Sequence, residues 1–139
     1  MMNATRIALI MHKPLGAAFD ACAAHILGRK PDLQVFDVEP DADPEPESER
    51  VLAWLRAGGV ETPVLILCDL YGATPFNIAA AAQRRALEEG YIVHLLTGTN
   101  ACMVLKALTD QQENPDSLSE RVRQGALRGI VNAEPPPEC

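Results

Sequence analysis

Aromatic residues are scarce in this chain, 4% of 139 positions against 47% hydrophobic residues in all, so any core must be assembled from aliphatic side chains. Long apolar runs are missing too. The longest, such as Val64 to Cys68, fall far short of the ~20 residues needed to cross a bilayer, and no basic stretch with an apolar segment and cleavage site opens the sequence. A cytoplasmic location is the expectation. Positive charge is in deficit: twelve Lys and Arg against nineteen Asp and Glu give a net charge of -7, and the scattered basic residues argue against a nucleic-acid partner. No CxxC spacing joins Cys22, Cys68, Cys102 and Cys139, which argues against a zinc site or disulfide framework, and the three that sit inside apolar periodic segments are expected to be buried free thiols. Cys22 and His25 lie one helical turn apart, but two ligands without a second pair are a weak metal signal. No strand is followed by a GxGxxG or Walker string, so the usual nucleotide-binding signatures are absent.

What is present is an alternation of short apolar runs and helical periodicity. The length fits one domain, expected over residues 1–133, with residues 134–139 as a frayed tail. Arg6 to Met11, Leu33 to Val38, Val64 to Cys68 and Tyr91 to Leu96 read as strands, the first and third apolar enough to be buried on both faces. Between them, Leu15, Phe19, Cys22, Ala23, Ile26 and Leu27 recur at helical spacing after Pro14 and stop at Gly28. The acidic, proline-rich stretch Glu39 to Glu49 reads as a solvated loop before a second helix that begins near Val51 and stops at Gly58 and Gly59. Thr74 and Pro75 have the form of a helix cap and first residue, ahead of an Ala-rich helix that runs to about Glu89. Asn100 to Leu108 reads as a fourth helix, Ser117 to Glu120 as the capping box of a fifth, and Gly129 to Asn132 as a short closing strand. Strands joined by helical crossovers predict an α/β fold with one open, doubly wound parallel sheet, and the flavodoxin-like order 2-1-3-4 would make the first and third strands neighbours.

In such a sheet the binding crevice lies beyond the carboxyl ends of the strands, at the point where their order reverses. The residues there are His12 after the first strand, Asp69, Tyr71, Gly72 and Thr74 after the third, and Thr97 to Asn100 after the fourth. A carboxylate beside an imidazole fixes which ring nitrogen holds the proton, frees the other as a nucleophile, and stabilises the cation formed when that nitrogen takes a phosphoryl group. Helix starts at Pro14 and Pro75 would add open amides for an anion. Plainer readings stand beside these: Asp69 as a turn former, Thr74 as a cap, Gly72 as a relaxed turn, and His25 and His94 as structural residues away from the crevice.

Three segments, Ile7 to His12, the string from Cys68 to Asn77 (CDLYGATPFN) and Thr97 to Asn100, resemble in order and spacing the mannose-type enzyme IIA domains of the bacterial sugar phosphotransferase system. The likeness covers nearly the whole chain. It implies a phosphocarrier that takes a phosphoryl group from the phosphocarrier HPr on His12 and passes it to an enzyme IIB protein or domain, with no metal or other cofactor. Asp69 would orient the histidine, Thr74 and Gly72 would line the phosphoryl pocket, and Asn100 would sit in the matching loop. The family's homodimers exchange their last strand, which Gly129 to Asn132 is placed to do. Lys13 stands where the family usually has glycine, so the backbone is less free there, although its charge could attract the phosphoryl group. Two other readings compete. A receiver domain would be phosphorylated on Asp69 but needs an acidic pair where this chain has Met11 and His12, and a binding module of the same fold would act by protein contacts alone.

Overall fold

The apolar runs pair edge to edge. In the structure, a computed structural model that describes residues 3–135, they form β1 (Arg6–His12), β2 (Leu33–Val38), β3 (Val64–Cys68) and β4 (Val93–Leu96). Helices α1 (Leu15–Leu27), α2 (Pro44–Ala57) and α3 (Thr74–Glu88) connect these strands, and α4 (Ala101–Thr109) and α5 (Pro115–Arg128) follow the last of them. Every pairing is parallel and the order is β2-β1-β3-β4, as expected, which puts β1 beside β3.

Because side chains of a strand alternate between faces, β1 and β3 each feed two cores. Ala8, Ile10, Ile66 and Cys68 pack with Val51, Leu52 and Leu55 of α2 and Ile78, Ala79, Ala82 and Ala86 of α3. Ile7, Leu9, Met11, Leu65 and Leu67 pack on the other face with Ala23 of α1, Met103, Val104, Ala107 and Leu108 of α4, and Leu118 and Val122 of α5. Both strands therefore read as unbroken apolar runs. Aromatic packing is limited to small clusters such as Phe36 edge-on to Trp54 at 5.9 Å, and the Arg6 guanidinium covers the Trp54 ring at 3.9 Å.

Several boundaries differ from the sequence reading. The expected loop before Val51 is already helix: α2 starts at Pro44, capped by Asp43, whose carboxylate accepts from the Glu45 amide. Pro44 and Pro46 have no N–H, and the Glu47 amide bonds to the Asp43 carbonyl, so all four opening positions of α2 are accounted for. Glu45 and Glu47 also face the positive end of the helix dipole. In α5 the cap is Asn114, followed by Pro115, and Ser117 lies inside the first turn rather than capping it. Ala73 takes the capping position of α3, so Thr74 is its first helical residue. β4 begins at Val93, not Tyr91. Residues 130–135 form no strand in the single chain; Gly129 closes α5 and the Ile130 amide bonds back to Leu127. Of the expected tail and the four cysteines, residues 136–139, including Cys139, lie outside the described residues.

Candidate functional site

With β1 and β3 adjacent, the residues that end them meet at the carboxyl edge of the sheet. His12 is the last residue of β1 and Asp69 the first after β3. Imidazole Nδ1 lies 2.8 Å from Asp69 Oδ2, the His12 amide donates to the same oxygen at 3.0 Å, and the Leu70 amide donates to Oδ1 at 3.0 Å. Burial by itself raises the Asp69 pKa, but the hydrogen bonds from the His12 amide and ring outweigh it and hold the carboxyl below the usual aspartate value. The carboxylate can only accept, so the nitrogen facing it carries the proton and Nε2 keeps its lone pair. The His12 side chain is 48% exposed and that of Asp69 only 8%: the ring is open to an approaching molecule while its carboxylate is shielded.

The helix starts around this pair differ in one respect. Two of the first amides of α1, expected to be open, are not: Gly16 and Ala17 donate to the two oxygens of Asp37, at 2.8 and 3.0 Å. Asp43 caps α2, Asn100 caps α4 and Asn114 caps α5. Among the described residues α3 alone begins with no side-chain acceptor; its amides at Thr74 and Phe76 have no partner, and Pro75 between them has no N–H. This is the helix that follows Asp69. The turn joining them passes through Gly72 at φ +83, a left-handed conformation that a side chain would strain. Thr74 is exposed at the mouth of this turn.

The other predicted site residues have definite partners. Lys13 is paired with Glu39 at 2.7 Å, and that hydrogen bond and the Glu39 charge hold the ammonium above its usual pKa. The Asn100 carboxamide accepts from the Met103 amide at 3.0 Å and donates to the Ala126 carbonyl at 3.3 Å, which joins α4 to α5. Its neighbour Thr99 donates its hydroxyl to the Cys68 carbonyl at 2.7 Å and so ties the loop after β4 to the end of β3. His94 contacts Asp116 of α5 at 2.9 Å, and His25 is exposed on α1.

Cys22 and Cys102 are exposed, against the expectation of buried thiols. Cys68 is buried, and burial followed by the nearby Asp69 charge pushes its thiol up to about 12. Among the described residues no three His, Cys, Asp or Glu gather as a metal-ligand set, so Cys22 and His25 gain no further donors. Two residues not singled out from sequence, Asp37 and Gly16, belong to the surroundings of His12. The signal for Asp37 was present, an acid near the carboxyl end of an otherwise apolar strand, but its partners are main-chain amides, which no sequence motif displays.

Solved structures share this fold. The mannose/sorbose-specific IIA subunit of the phosphotransferase system from Enterococcus faecalis superposes with a TM-score of 0.85 at 22% identity, covering 99% of this chain and 100% of that one. The phosphotransferase component EIIA from Streptococcus agalactiae gives 0.75 at 23% identity, covering 92% and 96%. A sigma-54 interaction domain protein from Enterococcus faecalis gives 0.76 at 12% identity, covering 93% and 95%. At these identities the likeness establishes the fold. Among curated protein sequences none matches significantly. Residues 6–123 match the family described as the PTS system fructose IIA component, a span that includes all four strands and both His12 and Asp69; the chain belongs to this mannose-type family of enzyme IIA components of the sugar phosphotransferase system.

Proposed function

We propose that this chain is a phosphocarrier that accepts a phosphoryl group from phospho-HPr on Nε2 of His12 and passes it to an enzyme IIB protein or domain. The observation that supports this best is the 2.8 Å contact between Nδ1 of a half-exposed imidazole and a shielded carboxylate. As the Nε2 lone pair attacks, the N–P bond of the donor phosphohistidine breaks and the new N–P bond forms. The ring becomes cationic with its Nδ1 proton still on the hydrogen bond, and Asp69 offsets that charge. The Thr74 and Phe76 amides, with the Thr74 hydroxyl and the Gly72 turn, are the groups available to the phosphoryl oxygens. The Asn100 carboxamide is committed to the Met103 amide and the Ala126 carbonyl, and Lys13 could reach the phosphoryl group only by leaving Glu39.

Asp69 is not suited to be the acceptor itself, as a receiver domain would require, because it is shielded and both oxygens are already engaged. We further read the chain as a cytoplasmic homodimer. β4 has an unpaired outer edge among the described residues, a groove of about 560 Å³ runs beside it between Tyr71, Phe76, Asn100, Met103, Leu127 and Ile130, and Ile130 and Val131 are largely exposed. The likeness to a sigma-54 interaction domain protein keeps a regulatory output beside transport.

The deciding experiment incubates the protein with enzyme I, HPr and radiolabelled phosphoenolpyruvate. Acid-labile label is expected on the wild type and none on His12→Ala; a mutant that still labels places the acceptor elsewhere.

A further inference from the structure

Only Lys13 and Pro14 separate His12 from α1, so fixing the first turn of α1 also fixes the backbone of His12. Asp37 supplies that constraint. It lies on β2 opposite Met11, one residue before the Val38 that pairs with His12. Its Oδ1 accepts the Gly16 amide at 2.8 Å and its Oδ2 the Ala17 amide at 3.0 Å, while the Lys13 amide donates to the Val38 carbonyl at 3.0 Å. The chain leaving β1 is thus gripped from both sides, by Asp69 after β3 and by Asp37 and Val38 of β2. Gly16 makes the approach possible: a Cβ there would lie 2.5 Å from Asp37 Oδ1 and 2.8 Å from Val35 Cγ1.

We propose that Asp37, acting through Gly16 and the first turn of α1, is a positioning residue for phosphoryl acceptance by His12. The proposal rests on His12 being the acceptor. In-line attack tolerates little displacement, and a shift of about 1 Å can cost on the order of 100-fold in rate. The Asp37 carboxylate also fills the anion seat at the start of α1, which leaves the amides of α3 to the phosphoryl group. The two carboxylates have separate tasks: Asp69 holds the ring, and Asp37 holds the strand end that presents it.

The test measures single-turnover phosphoryl acceptance from phospho-HPr at a temperature where each variant is folded, across a range of donor concentrations. For Asp37→Ala the maximal rate should fall roughly ten- to hundred-fold with half-saturation by phospho-HPr near that of the wild type. Asp37→Asn, which keeps one acceptor oxygen, should recover part of the loss. Gly16→Ala, which keeps the Asp37 side chain but displaces its carboxylate from the amides, should show the same kinetic defect. The double variant should be no slower than the slower single, since both remove one contact. A wild-type rate in Asp37→Ala together with a lower unfolding midpoint would reduce Asp37 to a helix cap, and additive losses would break the route through Gly16. If Asp37→Ala does not fold, the Asp37→Asn and Gly16→Ala rates decide. Label retained on His12→Ala would instead remove the acceptor assignment, an outcome distinct from all of these.

Discussion

At the residue scale, the His12–Asp69 contact is a statement about stability as well as chemistry. The Asp69 carboxyl is held below its unfolded value, so its ionised form stabilises the fold above the ordinary aspartate pKa of about 3.9, and that contribution disappears as pH falls through the lower folded value. Asp69→Asn should therefore be less stable than the wild type near neutrality, with the gap narrowing from about pH 4 downward. Urea unfolding midpoints across that range measure it, and a gap of constant size would mean that the carboxylate's charge has no part in the effect. His12 and Asp69 were legible before any coordinates, because each directly follows a buried apolar run. Asp37 and Gly16 were not, because their meaning depends on how closely α1 crosses β2.

At the scale of the element, the start of α3 is the informative case. The other four helices have a carboxylate or carboxamide on an opening amide, whereas the Thr74 and Phe76 amides have no partner among the described residues. A phosphoryl group on His12 would act as the missing cap. Hydrogen exchange at Thr74 and Phe76 should slow on phosphorylation relative to residues in the middle of α3, and unchanged exchange there would move the phosphoryl oxygens to other donors. The helix ends of the sequence reading survive where glycine punctuates the pattern, as at Gly28 and Gly58. The reading failed at α2, where the composition of Glu39 to Glu49 resembled a loop although Asp43 and the two prolines satisfied a helix start. It failed again at the amino end of β4, since only Val93 to Leu96 find a ladder partner in β3.

For the molecule as a whole, the outer edge of β4 has no strand partner among the described residues. Exposed Ile130 and Val131 and the adjoining groove are costly to leave in water, and a second copy could bury them together. Sedimentation equilibrium should return twice the 15.0 kDa chain mass, and Ile130→Asp with Val131→Asp should shift the species toward a single chain. A wild-type protein of single-chain mass at micromolar concentration would sink this reading.

The two-sided sheet also restricts where the chain can change length. Neighbouring residues of β1 and β3 serve opposite cores, so deleting one residue from either strand would swap the contents of both cores and turn the terminal histidine or its carboxylate toward the wrong layer. Growth and shrinkage of the chain are left to exposed positions in the connections at the far end of the sheet, around residues 59–61 and 89–90, away from the His12 edge.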